Sequence, residues 1–103
     1  MYAAIQDQIP QLQTICEGRH VRRLWLFGSA VGSAFDVERS DLDFAVEFMP
    51  LAPGGRAEAY FGLLADLETS FSRPVDLVEL TAVRNPYFRE VLEEERVVLY
   101  EAA

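Results

Sequence analysis

The sequence predicts an α/β fold in which one β-sheet is covered by helices. Segments with the two-residue period of strands alternate along the chain with segments of helical period, and such even mixing favours this class. The 103 residues are half hydrophobic, which suffices for a single domain, residues 1–103, with a modest core. No apolar run approaches the roughly 18 residues that cross a membrane, and no signal-like segment opens the chain, so we expect a cytoplasmic protein.

Eight segments carry these patterns. In chain order we expect a helix over 10–18, a strand over 21–27, a short helix from 29 to about 32 or 33, a strand over 42–48, a helix over 56–70, a strand over 75–80, a helix from 86, and a short strand or extended tail over 97–100. Residues 2–9 are weakly patterned, and residues 35–39 and 50–55 are expected to be loops.

The first helix and the first strand have clear boundaries. Apolar residues recur at helical spacing from Ile9 to Cys16, Pro10 fits the first turn of a helix, and Gly18 can end it. The run LWLF over residues 24–27 has no polar interruption, which indicates a strand that is buried on both faces.

The second strand has the clearest period of two. Apolar side chains occupy the even positions from 42 to 48, and more polar ones occupy most odd positions. We therefore expect one face of this strand to be buried, with Asp41 and Asp43 on the other face.

The later segments predict two amphipathic helices around a further strand. Asn85 is a good N-cap and Pro86 a good first residue for the last helix. The expected inner faces are Tyr60, Phe61, Leu64, Leu67 and Phe71 for the longer helix, and Phe88, Val91 and Leu92 for the last one.

Asp41 and Asp43 are the strongest candidates for metal ligands. Because they are two residues apart on a strand, their side chains project the same way, with Cβ atoms roughly 6–7 Å apart. Like charges this close are unfavourable without a cation between them, and Mg²⁺ commonly binds one or two carboxylates together with substrate phosphates. The pair therefore predicts a magnesium site that would orient a nucleoside triphosphate.

Gly28 and Ser29 are the candidate phosphate-binding residues. Glycine lets the backbone approach a phosphate closely, and a helix that starts here would direct N–H groups at the anion. Asp76 lies between residues that favour burial, Val75 and Leu77, so its carboxylate needs a partner. A neighbouring metal site would supply one, and Asp76 could then act as a general base.

The charge of the chain limits its partners. The net charge is −8, and all nine basic residues are arginines. Because polyanions are held by basic surfaces, we expect no direct binding of long nucleic acids. A small nucleotide that carries its metal ion, or a basic protein partner, is compatible with this charge.

On these residues the sequence resembles the minimal nucleotidyltransferases, which are small relatives of the DNA polymerase beta superfamily. The matching motifs are Phe27-Gly28-Ser29, Ser40-Asp41-Leu42-Asp43 and Asp76, and the segment RNPYF over 84–88 is similar to a subgroup of that family. The resemblance covers nearly the whole chain. It implies a mixed sheet flanked by helices, which is the palm-like fold of these enzymes.

The resemblance also implies a function. It implies two Mg²⁺ ions held by Asp41, Asp43 and Asp76, with the phosphates of ATP near Gly28 and Ser29. Many such proteins are antitoxins of a HEPN-type ribonuclease toxin encoded beside them, and some transfer AMP onto a tyrosine of that toxin. We therefore expect AMP transfer from Mg-ATP to a toxin hydroxyl, and a hetero-oligomer with the toxin.

One departure from the family pattern favours a second hypothesis. Many members carry an arginine shortly after Gly-Ser, where this chain has Ala30, Val31 and Gly32. The second hypothesis is a binding module of the same fold that neutralises its partner by contact alone. Its candidate contact residues are the exposed members of the set Tyr60, Phe61, Tyr87, Phe88 and Tyr100. A third hypothesis is an acidic α/β domain with no nucleotide role.

Overall fold

The computed structural model describes residues 1–32 and 35–103. Its helices are α1 (Ala3–Asp7), α2 (Ile9–Gly18), α3 (Gly55–Phe71) and α4 (Pro86–Glu95), and its strands are β1 (Val21–Phe27), β2 (Leu42–Phe48), β3 (Val75–Glu79) and β4 (Val97–Glu101). Short 3₁₀ turns, Gly28–Ala30 and Leu80–Ala82, follow β1 and β3. The predicted sheet with covering helices is confirmed. No helix in the described ranges is long and apolar enough to cross a bilayer.

The four strands form one mixed sheet in the order β3-β2-β1-β4. β1 runs antiparallel to β2 and to β4, whereas β2 and β3 are parallel. A parallel pair needs a crossover connection, and α3 supplies it between β2 and β3. The segment expected as a strand or a tail at the end of the chain is the edge strand β4.

One face of the sheet packs against α1, α2 and α3 and forms the larger apolar core. Buried residues of this core include Ile5, Leu12, Cys16, Leu24, Leu26, Leu42, Phe44, Val46, Leu63 and Leu67. The even positions of β2 point into this core, as their two-residue period predicted.

The opposite face carries a smaller apolar cluster beneath α4. Its buried residues are Trp25, Ala45, Leu80 and Leu92. Because Trp25 is buried on this face while its neighbours on β1 are buried on the other, the prediction that β1 is buried on both faces is confirmed. Asp43 lies on this second face, since it is two residues from Ala45 on β2.

Two predictions of element boundaries were wrong, and a segment for which no element was predicted forms a helix. Residues 2–9, which are weakly patterned, include the helix α1, because Ile5 is fully buried in the larger core. The helix expected from position 29 to 32 or 33 is instead the 3₁₀ turn Gly28–Ala30, and position 33 lies outside the described residues. β3 ends at Glu79, because Leu80 starts the second 3₁₀ turn.

Two predicted inner faces also need correction. The buried residues of α3 are Ala59, Leu63 and Leu67, and Phe61 is 65% exposed, because it lies about 200° around the helix from Ala59. In α4, all of which is described, Leu92 alone is buried, whereas Phe88 and Val91 are 40% and 48% exposed.

Candidate active site

The candidate active site is built around a direct pairing of two aspartates. Asp43 on β2 and Asp76 on β3 are register partners across the parallel pair, so their side chains project from the same face of the sheet. Asp43 is half-buried and Asp76 is exposed. Asp76 is exposed although its neighbours Val75 and Leu77 favour burial, because β3 is an edge strand and α4 packs over Trp25 and Ala45 instead.

Gly28 borders the carboxylate of Asp43 from the other side. Phe27, the last residue of β1, is the register partner of Asp43, which places Gly28 beside this carboxylate. Gly28 has φ +73°, and a Cβ atom at this position would collide with Oδ2 of Asp43. Both the left-handed backbone and the close approach therefore require glycine here.

Asp41 immediately precedes β2, and its neighbours attach it to the start of β3. The carbonyl of Ser40 accepts a hydrogen bond from Nη1 of Arg73 at 3.3 Å, and the N–H of Leu42 donates to the carbonyl of Pro74 at 3.4 Å. Asp41 therefore lies between two contacts that fix its backbone relative to the strand that carries Asp76. Its own side chain is exposed.

The three carboxylates interact electrostatically. The pKa of Asp43 is raised from 3.8 to about 6, chiefly because the carboxyl is buried, and then because Asp76 and Asp41 carry like charge. A carboxylate that is partly desolvated and faces two others favours either a proton or a cation. Asp43 thus lies within electrostatic range of the other two predicted acids, Asp76 and Asp41.

The three carboxylates could supply part of the ligand set that a magnesium ion requires. In the described ranges, no three His, Cys, Asp or Glu side chains stand close enough to hold a metal ion by themselves. Mg²⁺ usually binds proteins through one or two carboxylates and takes its other ligands from water and phosphates. Because a cation would also relieve the repulsion at Asp43, these residues fit an ion that arrives with a nucleotide, and the number of ions stays a prediction.

Ser29 lies in the 3₁₀ turn that follows Gly28. The turn is closed by a hydrogen bond from the N–H of Val31 to the carbonyl of Gly28, at 3.2 Å. A single turn offers local backbone N–H groups and a hydroxyl to an anion, but it lacks the macrodipole of the longer helix that was expected. Gly28 lies beside the Asp43 carboxylate and Ser29 follows it directly in the turn, and their contact with phosphate stays a prediction.

Sequence reasoning missed an arginine that supports this site. The guanidinium of Arg73 lies over the rings of Tyr2 and Phe35, at 5.4 and 5.0 Å from their centroids. These two rings stack on each other at 4.3 Å. The same guanidinium donates to the carbonyl of Ser40, next to Asp41. The sequence indicated this contact only through the presence of an arginine and two aromatic residues outside regular helices and strands.

Comparison with known proteins identifies a family and several similar folds. Residues 10–103 match the family model described as polymerase beta, nucleotidyltransferase. No curated protein sequence matches the chain. A solved structure described as a minimal nucleotidyltransferase is 24% identical, with a TM-score of 0.76 over 94% of this chain and 95% of that one.

Chains from toxin–antitoxin complexes are also similar in fold. One comes from a complex of a tri-AMPylated Shewanella oneidensis HEPN toxin with its MNT antitoxin, at 18% identity and a TM-score of 0.66 over 95% of this chain and 73% of that one. Another comes from a toxin–antitoxin structure with AMP-PNP, at 20% identity and a TM-score of 0.68 over 91% and 73%. At these identities the likeness concerns the fold, and the mixed sheet agrees with it.

Proposed function

The chain belongs to the polymerase beta nucleotidyltransferase family, and we propose that it transfers AMP from Mg-ATP to a tyrosine hydroxyl of a HEPN-type toxin. It would thereby act as the antitoxin of a toxin–antitoxin pair. Similar folds occur in a complex that holds a tri-AMPylated toxin and in one with AMP-PNP. The observation that carries the proposal is the pairing of Asp43 with Asp76 beside Gly28. In this proposal the reaction takes place in the cytoplasm.

The proposed reaction forms one bond and breaks one. The hydroxyl oxygen of the toxin bonds to the α-phosphorus, the bond from that phosphorus to the bridging oxygen breaks, and pyrophosphate leaves. Asp76, exposed at the sheet edge, takes the hydroxyl proton. Bound magnesium would supply positive charge that stabilises the phosphates as charge moves onto the leaving group.

Each remaining site residue has a binding role in this proposal. Asp41 and Asp43 would hold the magnesium ions, and Asp76 would contribute to one of them. Gly28 lets the backbone approach the triphosphate, and the Ser29 hydroxyl donates a hydrogen bond to it. In the proposal the toxin and the antitoxin form a hetero-oligomer, which positions the acceptor hydroxyl.

The test is label transfer from ATP labelled at the α-phosphate, with Mg²⁺ and the protein product of the adjacent gene, which the proposal identifies as the HEPN-type toxin. Label should appear on the toxin, and Asp43→Asn and Asp76→Asn should each abolish it. Asp7→Asn is the matched control, because it removes the same charge from an exposed position in α1 and should leave labelling unchanged. A toxin that stays unlabelled with the unaltered protein, or is fully labelled by the Asp43 variant, would refute the proposal.

A second candidate function is neutralisation by contact alone. It is favoured by the residues that follow Ser29, because Ala30 is buried and Val31 half-buried, at positions where the family resemblance led us to expect an arginine that could hold phosphate. A doubly altered protein, Asp41→Asn with Asp43→Asn, separates the candidates. If it still restores the growth of toxin-producing cells, contact suffices; if growth fails while the variant folds and binds the toxin, catalysis is required.

A further inference from the structure

Helix α4 lies on the same sheet face as the candidate active site. Its only buried side chain, Leu92, packs with Trp25 and Ala45. Nearer its start, Phe88 meets Phe27 edge-on, with 6.4 Å between ring centroids, and Phe27 is the register partner of Asp43. The start of α4 therefore lies next to the strand ends that carry the carboxylates, on the face from which they project.

Most of the apolar surface of α4 has no partner within the described chain. Tyr87 is 80% exposed, Val91 48% and Phe88 40%. Tyr87 and Val91 are four residues apart and Phe88 and Val91 three apart, so the three side chains adjoin on the helix surface. Contiguous exposed apolar residues of this kind mark interaction sites more often than isolated ones do. We call Tyr87, Phe88 and Val91 the α4 patch.

The charges around the α4 patch specify the chemistry of its partner. Within Pro86–Glu95 there are four glutamates and one arginine, and all five are exposed. Two further arginines flank the helix: Arg84 is exposed, and the guanidinium of Arg96 lies over the Trp25 ring, 4.7 Å from its centroid. Arg89 is already within 3.6 Å of Glu93. The complementary surface therefore has an apolar centre and a rim of lysine or arginine.

A second copy of this chain fits the α4 patch poorly. A two-fold interface would place the same surface of each copy in contact, so the glutamates of one α4 would face those of the other. Each copy also carries a net charge of −8. Like charges placed opposite each other weaken association, which leaves a different, basic protein as the better occupant.

We propose that the α4 patch is the docking surface for the protein acceptor of AMP, and that this acceptor presents an apolar patch rimmed by basic residues. The inference rests on the function proposed above and adds where the acceptor binds. Docking on α4 brings an acceptor hydroxyl to the carboxylates along one face of the sheet. Phe61, which the sequence also offered as a contact residue, lies on α3, in the layer that covers the opposite face of the sheet. The docking proposal therefore excludes Phe61 from the contact surface.

The experiment compares Tyr87→Ala/Val91→Ala with Phe61→Ala as the matched control. Both variants remove exposed side chains, so both should fold. Calorimetric titration with the HEPN toxin encoded beside the gene should give an affinity weakened roughly tenfold or more for the double variant, which is the range of interface hot spots. The control should bind like the unaltered protein, and Mg-ATP should bind equally to all three.

A second arm reverses charge at the rim. Glu90→Arg/Glu94→Arg should weaken toxin binding at low salt, with a smaller effect at high salt, because the attraction is screened. Full affinity and full labelling with Tyr87→Ala/Val91→Ala would overturn the docking proposal while leaving the enzymatic one intact. A toxin that is neither bound nor labelled by the unaltered protein would overturn both. Self-association of the unaltered chain, abolished by the double variant, would assign the surface to a second copy instead.

Discussion

Asp43 and Asp76 face each other across the only parallel strand pair of the described sheet, and Asp41 adds a third negative charge nearby. The arrangement costs stability when no cation is bound, because the half-buried carboxyl of Asp43 must ionise beside like charges. The same repulsion favours a bound cation. Several measurable consequences follow from this relationship and from the contacts around it.

The first prediction concerns how the free energy of unfolding of the metal-free protein depends on pH. The pKa of Asp43 is raised from 3.8 to about 6, so the folded state binds this proton more tightly than the unfolded state does. The contribution of Asp43 is most favourable below about pH 4, is lost progressively as the pH rises to about 6, and stays lost above it. Asp43→Asn should remove this decline and stabilise the metal-free protein at pH 7 by about 1–2 kcal/mol, because solvent screens part of the repulsion at this half-buried group.

Urea unfolding of the metal-free protein between pH 3.5 and 7.5 measures this effect. Asp7→Asn is the control, and it should retain the decline of the unaltered protein. An Asp43→Asn curve that runs parallel to that of the unaltered protein across this range would contradict the assignment.

The second prediction separates two reasons for a glycine at position 28. Gly28 and Gly54 both have positive φ, +73° and +86°, but an added Cβ meets Asp43 only at Gly28, and at Gly54 it meets nothing within 4 Å. Gly54→Ala should therefore cost only the backbone strain, about 1 kcal/mol. Gly28→Ala should cost more and also abolish label transfer, because it displaces the Asp43 carboxylate. Equal losses of unfolding free energy for the two variants would mean that the collision is relieved at no cost.

The predictable part of the site depended on local patterns. Asp41 and Asp43 were assigned to one face because β2 alternates strictly, and Gly28 was identified because an uninterrupted apolar strand stops there. The contact of Arg73 with Tyr2 joins residues 71 apart in sequence, and that with Ser40 residues 33 apart. No periodicity predicts such contacts. The exposure of Phe88 and Val91 was missed for a related reason. Helical spacing predicts an apolar stripe on the helix, but it does not predict how much of that stripe the sheet can cover.

The third prediction assigns a positioning role to Arg73. Its guanidinium contacts Ser40, Tyr2 and Phe35 at once, so Arg73→Met should lower the free energy of unfolding by about 1–3 kcal/mol and raise the Mg²⁺ concentration needed for label transfer. Arg73→Lys should recover part of the stability but little of the Mg²⁺ dependence, because lysine cannot bridge the three groups with a planar fork. Arg89→Met, which loses an exposed ion pair with Glu93, should change stability by less than about 0.5 kcal/mol. An unaltered Mg²⁺ dependence in Arg73→Met would limit this residue to a structural role.

The fourth prediction concerns how α4 is held on the sheet. Leu92 is fully buried between Trp25, Ala45 and Leu80, and the other apolar residues of the helix are largely exposed. Leu92→Ala should therefore cost about 2–5 kcal/mol, a large share of the 5–15 kcal/mol that stabilises a typical domain. The loss should be local first, with faster amide hydrogen exchange in Pro86–Glu95 than in β1 and β2. Val91→Ala, which removes a side chain that is 48% exposed, should change the free energy of unfolding by less than about 0.5 kcal/mol. If Leu92→Ala speeds exchange equally throughout the sheet, α4 is an integral part of the core and not a helix attached by one side chain.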